Sequence, residues 1–137
     1  MASKLPIPAQ FLAIPYNAAI HPGVAHPADL STGANCQVFA YTLLAHFGIA
    51  FPPLWSSELW ADTEHSRVVT EFQPLDLLLF GKTSDAFGAH VAVHIGEGRA
   101  IHLCRAVGLP VEWAIEDFAT HENYRVLIGG KRPHVKV

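Results

Sequence analysis

The clearest helical pattern along the chain begins after Asn35. Apolar residues recur there at spacings of three and four, namely Phe39, Leu43, Leu44 and Phe47. Asn35 is a residue type favoured immediately before a helix, and Gly48 is typical of the position just after a helix ends. The pattern therefore predicts an α-helix over residues 36–47, with Cys36 in its first turn.

A second pattern, strict alternation, marks the segment from His90 to Ile95. Branched apolar residues occupy one face, and His90, Ala92 and His94 occupy the other. A glycine-containing turn at 96–98 separates this segment from a second short run at 99–104, which predicts a β-hairpin. An apolar run at 75–80 predicts a further buried strand, followed by a loop at 81–89.

The register of this hairpin decides whether two histidines meet. With a three-residue turn that has Gly98 in the left-handed conformation, Ile95 faces Arg99, Ala92 faces His102 and His90 faces Cys104. His90 and His102 are then diagonal neighbours on one face, about 7–8 Å apart at the backbone. A two-residue turn would place them on opposite faces.

Outside the helix and the hairpin, the sequence predicts an N-terminal arm and one further short helix. Residues 1–30 are rich in proline and predict an extended N-terminal arm, and a serine at 56 or 57 predicts the cap of a short helix with Glu58 in its first turn. With 137 residues, 50% hydrophobic and 15% charged, we expect a single domain over 1–137 that combines helices with a sheet.

Charge and cysteine content exclude several classes of function. A net charge of -3 gives no basic stripe, so we expect no nucleic acid partner. The apolar stretch at 38–55 is interrupted by His46, Gly48 and prolines, so we expect no membrane span. Two distant cysteines do not make a disulfide framework, and no export signal is recognised, so a cytoplasmic location is expected.

The chemistry of the chain centres on Cys36. A thiol in the first turn of a helix lies near unsatisfied N–H groups and the positive end of the helix dipole, which favour the thiolate and a lowered pKa. His90 and His102 supply a base and a group to orient it, which together make a nucleophile, base and orienter. The alternative for Cys36 is a small buried apolar residue.

These residues occur in an order that resembles the NlpC/P60 family of papain-like cysteine peptidases. The resemblance is carried by four stretches, namely Asn35-Cys36, the segment 56–60, the segment 73–77 and the segment 90–102 with its two histidines twelve residues apart. It departs from the family pattern at Asn35 and Gln37, where aspartate and serine are usual, at Leu75 and Ala92, where glycine is usual, and at His94, where an aromatic residue is usual.

The resemblance implies an α+β fold in which the nucleophile helix packs on an antiparallel sheet or half-barrel. It implies that Cys36 is the nucleophile, His90 the base and His102 the orienter. Substrate-binding residues are expected at Tyr16, Asn35, Gln37 and Ser57. The implied reaction is hydrolysis of a peptide or isopeptide amide bond, typically in the peptide stem of peptidoglycan, without a cofactor.

Other interpretations remain open at this stage. The same scaffold supports an acyltransferase or a non-catalytic binding module. Zinc binding by His90, His94 and His102 is disfavoured, because positions 90 and 94 of one strand lie about 13 Å apart. His94 is expected to line the substrate groove, and Cys104 is expected to be an inert buried thiol. The sequence does not specify an oligomeric state.

Overall fold

A six-stranded antiparallel sheet organises the chain in the computed structural model, which describes residues 4–26 and 30–134. The strands in chain order are β1 (Ser66–Val69), β2 (Leu77–Gly81), β3 (His90–Gly96), β4 (Arg99–His102), β5 (Val111–Ala114) and β6 (Val126–Pro133). Their order across the sheet is β1-β6-β2-β3-β4-β5. The helices are α1 (Cys36–His46), α2 (Ser56–Ala61) and the 3-10 segments Ala9–Ala13, Ile115–Thr120 and Glu122–Tyr124. The predicted α+β fold is confirmed.

Both faces of the central strand β3 are buried. Its apolar face packs with α1 in the main core, through Val91, Val93 and Ile95. Its other face carries Ala92, which belongs to a smaller core with Leu78, Phe80, Ala100 and Phe118. Phe118 comes from the 3-10 segment Ile115–Thr120, so this segment covers the face on which the histidines lie.

Helix α1 begins at Cys36, as the sequence predicts. The Asn35 side chain accepts a hydrogen bond from the N–H of Val38 at 2.9 Å, which satisfies one of the free donors of the first turn. The helix is buried over most of its length, including Val38, Phe39, Leu43 and Leu44. This burial fixes the helix, and Cys36 with it, against the sheet.

The β3–β4 hairpin has the predicted register in its body. Val93 pairs with Ile101 and His94 with Ala100. At the turn the prediction is wrong, because Gly96 and not Ile95 pairs with Arg99, through a bulge in β3. The turn consists of two residues with positive φ, Glu97 (56°) and Gly98 (69°). The bulge adds one residue to β3, so the pairing beyond it is the same as the expected three-residue turn would have produced.

The N-terminal segment runs beside the start of α1 and the β3–β4 hairpin. The Leu5 N–H donates to the Ile95 carbonyl at 2.6 Å, and Tyr16 forms a parallel bridge with Ala34, two residues before Cys36. The segment also contains the 3-10 turn Ala9–Ala13, with Phe11 buried. The arm expected over 1–30 lies partly outside the described residues.

Two local expectations are corrected. Helix α2 is preceded by Trp55 and not by a serine; the Glu58 carboxylate accepts the Trp55 N–H at 2.8 Å. The strand expected from residue 75 begins at Leu77, because Leu75 has φ of 77° and cannot continue an extended strand. Within the described ranges, no helix is long and apolar enough to cross a membrane.

Candidate active site

A cavity of about 770 Å³ opens at the N-terminal end of α1. Six of the seven residues that the sequence singles out line it, namely Tyr16, Asn35, Cys36, Gln37, Ser57 and His90. The seventh, His102, is fully buried behind His90. The fold therefore brings together four separate parts of the chain: the N-terminal segment at Tyr16, the start of α1, the start of α2 and the start of β3.

Cys36 presents its thiol to this cavity from the first residue of α1. Burial raises the pKa of the thiol to about 11, although backbone N–H groups of Val91, Gln37 and Cys36 itself act in the opposite direction. The helix end therefore supplies the expected donors, but loss of water is the larger effect. The prediction of a lowered pKa is therefore wrong, because a thiol with a pKa of about 11 is protonated at neutral pH.

His90 and His102 form the closest side-chain contact of the site. The Nε2 atom of His90 lies 2.7 Å from the Nδ1 atom of His102, within hydrogen-bonding distance. Burial lowers the pKa of His90 well below its usual value, and the neighbouring His102 lowers it further. Both rings are therefore neutral at pH 7, and His90 has its Nδ1 atom left for another partner.

Aromatic side chains enclose His102. Its ring centroid lies 4.2 Å from Trp113 and 4.7 Å from Phe118. Its Nε2 atom has no hydrogen-bond partner within the described part of the chain. Burial lowers the pKa of His102 to about 3, with a further contribution from His121, so the ring holds its position as a neutral imidazole.

The polar residues next to Cys36 are engaged with one another. The Asn35 Oδ1 atom accepts the Val38 N–H, and the Asn35 Nδ2 atom donates to Gln37 Oε1 at 2.8 Å. Both side chains are largely buried although they line the cavity. Asn35 and Gln37 therefore present a neutral wall next to the thiol.

Several residues of the cavity were not identified from the sequence. Tyr124 stacks on His90 with ring centroids 4.4 Å apart, and burial together with the adjacent Cys104 thiol raises the Tyr124 pKa. Phe87 and Arg105 also line the cavity. These residues lie in loops and in a 3-10 segment without hydrophobic periodicity, so no sequence signal connected them with Cys36. The predicted hairpin register placed Cys104 beside His90, and the two residues do line the same cavity.

His94 does not line the groove, contrary to expectation. It is 4% exposed and packs near Phe72, with ring centroids 6.1 Å apart. His94 lies four positions after His90 on β3, too far along the strand to reach the cavity. It is instead covered by side chains that pack on the sheet. Among the residues at 4–26 and 30–134, no group of three or more potential metal ligands comes together.

Comparison with known proteins gives matches only at the level of structure. No family model matches the chain, and no curated protein matches it. An NlpC/P60 family protein from Bacillus cereus has a TM-score of 0.54 at 24% identity, over 76% of this chain and 32% of that protein. A Staphylococcus aureus protein, described as similar to a lipoprotein of the NLP/P60 family, has a TM-score of 0.60 at 21% identity, over 93% and 39%.

The NlpC/p60 domain of the peptidoglycan hydrolase SagA has a TM-score of 0.54 at 22% identity, and the match covers 80% of this chain and 84% of that domain. The chain thus spans about a third of the Bacillus and Staphylococcus proteins and most of the isolated SagA domain. At these identities the matches establish a shared fold.

Proposed function

Because the chain has the NlpC/P60 fold, we propose that it is a cysteine hydrolase that cleaves a peptide or isopeptide amide bond in stem peptides of the peptidoglycan type. The observation that carries the proposal is the 2.7 Å contact between His90 and His102, with His90 and Cys36 lining one cavity. Two adjacent neutral imidazoles beside a thiol match a base and its orienter. That SagA is a peptidoglycan hydrolase supports the choice of substrate class.

The contact between the two histidines supports a specific role for each of their nitrogen atoms. The Nε2 atom of His90 is occupied by His102, so Nδ1 is the atom that takes the thiol proton. For this, Nε2 of His90 must donate its hydrogen to Nδ1 of His102, and the hydrogen of His102 is on its own Nε2. His102 thus fixes the tautomer of His90 and stabilises the charge that forms on the ring.

The chemical steps then follow in order. The S–H bond of Cys36 breaks as sulfur attacks the substrate carbonyl, and the proton moves to His90. We assign the oxyanion to the backbone N–H of Cys36, with Tyr16 as a second donor. His90 returns the proton to the leaving nitrogen as the C–N bond breaks, and water then hydrolyses the thioester. Because the free thiol has a pKa of about 11, proton transfer accompanies the attack instead of preceding it.

One observation favours a second candidate, a non-catalytic binding module. A thiol whose pKa is about 11 is a weak nucleophile at neutral pH unless a base removes its proton. A binding module would keep the cavity and the fold without turnover. The acyltransferase alternative differs from hydrolysis only in the acceptor, so it is tested by adding an amine acceptor to the same assay.

The test is turnover of a defined set of stem peptides and plain dipeptides, with products identified by mass spectrometry. We expect hydrolysis of at least one stem peptide, complete loss of turnover in Cys36→Ala, and most of the activity retained in Cys104→Ala. The latter is the matched control, because Cys104 lines the same cavity but is not at the start of a helix. Equal loss in the two variants would overturn the assignment of the nucleophile, and no cleavage of any peptide would favour the binding module.

A further inference from the structure

We propose that Arg105 forms a carboxylate-binding subsite in the cavity, so that the preferred substrate is an acidic peptide and not one selected by a free amine. The inference rests on the proposed function for its use in catalysis, but the binding it describes is measurable without turnover. Three independent features of the structure lead to it.

The first feature is how Arg105 is held. It follows Cys104 in a turn that the Gly108 N–H closes by donating to the Cys104 carbonyl at 2.9 Å. The Tyr16 N–H donates to the Gly108 carbonyl at 2.8 Å, which fixes this turn to the segment beside Cys36. The guanidinium carbon of Arg105 lies 5.6 Å from the Tyr16 ring centroid, a cation–π distance. Arg105 is therefore positioned at the cavity.

The second feature is the charge of the cavity wall. Arg105 is the only lysine or arginine among the described residues that line it. Two other arginines form ion pairs within the protein, since Arg99 pairs with Glu112 and Arg132 with Asp76. Arg105 forms no ion pair within residues 4–26 and 30–134. Its planar guanidinium is suited to a bidentate contact with a carboxylate from a ligand.

The third feature is that the polar side chains on either side of Cys36 are neutral and bonded to other protein groups. The Asn35 oxygen is used by the Val38 N–H, and the Gln37 oxygen accepts from Asn35. Glu58 is the one carboxylate among the described lining residues, and its Oε1 atom accepts the Trp55 N–H. The side chains of Asn35 and Gln37 therefore offer a substrate ammonium group no negative charge beside Cys36, and Glu58 is the one anionic side chain among the described lining residues. A substrate carboxylate meets Arg105, which has no ion-pair partner within residues 4–26 and 30–134.

The test uses two matched pairs of tripeptides built on L-Ala-γ-D-Glu-L-Lys. In the first pair the α-carboxyl group of the glutamate is either free or a carboxamide, and in the second pair the C-terminal carboxyl group is varied in the same way. A charge-assisted bidentate contact predicts a preference of about tenfold to a hundredfold for the free acid in kcat/KM in one of the two pairs. The preference should fall below about twofold in Arg105→Gln and be partly retained in Arg105→Lys.

Arg67→Gln is the matched control, because Arg67 is an exposed arginine on β1 that does not line the cavity. It should keep the full preference for the free acid over the carboxamide. Thermal melting of each variant checks that the fold is retained. We expect it to be retained because Arg105 is exposed.

Binding of the same peptides to Cys36→Ala, followed by calorimetry, separates this inference from the proposed function. If no peptide is cleaved but Cys36→Ala binds the acid more tightly than the amide in an Arg105-dependent manner, the proposed function fails and the subsite stands. If peptides are cleaved without preference for either acid, the subsite is overturned. Absence of binding by all four peptides also overturns it.

Discussion

The protonation state of Cys36 gives the sharpest prediction, because sequence and structure point in opposite directions. A helix N-terminus alone would lower the thiol pKa, whereas burial in this fold raises it to about 11. We expect alkylation of Cys36 by iodoacetamide to be slow at neutral pH. The rate should then increase steadily with pH, without a plateau in the acid range.

The magnitude follows from the thiolate fraction. At pH 7 a pKa of about 11 leaves about one thiolate in ten thousand, against about one in thirty for an unperturbed thiol with a pKa of about 8.5. Labelling of the folded protein should therefore be about 300-fold slower than that of an unperturbed cysteine of equal access. The rate should rise about tenfold for each pH unit between pH 6 and pH 10.

The assay follows intact mass during alkylation, in Cys104→Ala so that only one thiol reacts. The same variant unfolded in urea gives the reference rate for an accessible thiol. Circular dichroism at each pH confirms that the fold is retained. A rate that is constant from pH 5 to pH 8, and faster at pH 7 than the unfolded reference, would refute the reasoning, because it would show a thiolate–imidazolium pair in the free protein.

Three further predictions concern stability. Burial lowers the His102 pKa to about 3, so below about pH 6.5 the unfolded chain binds more protons than the folded protein. The free energy of unfolding should therefore decrease by about 2 kcal/mol as the pH falls from 6.5 to 5, as measured by urea unfolding, and this decrease should be smaller in His102→Gln. Asn35→Ala removes the helix cap and should cost about 1 kcal/mol, whereas Asn35→Asp should cost less. Gly33→Ala should cost more than about 1 kcal/mol in the same assay, because Gly33 has φ of 92° and an added Cβ would lie 2.5 Å from the Pro15 carbonyl oxygen.

The sequence predicted the elements that carry the proposed catalytic groups because their signals are local. The cap at Asn35 and the apolar spacing after it are sufficient to place Cys36 at the start of α1. Alternation in β3 predicts the face on which His90 lies, but its meeting with His102 also depends on the bulge in β3, which the sequence did not predict. The turn was wrong in detail, since a bulge and a longer turn produce the same register in the body of the hairpin.

The pKa values and the cavity wall were not predictable in this way. The Cys36 pKa depends on how completely the sheet, the arm and α2 exclude water from one thiol, which no short pattern encodes. Tyr124 and Arg105 reach the cavity through tertiary contacts, the first by stacking on His90 and the second through the turn tied to Tyr16. Contacts of this kind between distant segments leave no periodic trace in the sequence.

The two main inferences about the site are physically connected. In the proposed mechanism His90 takes the proton of Cys36 and becomes an imidazolium in a cavity that Arg105 also lines. A substrate carboxylate held by Arg105 adds a negative charge to the same cavity, and we expect this charge to favour proton transfer to His90 as well as binding. We therefore expect the acid-over-amide preference to be larger in kcat/KM than in binding to Cys36→Ala. Equal preferences in the two measurements would show that Arg105 contributes to binding alone, and a larger preference in binding would contradict the coupling.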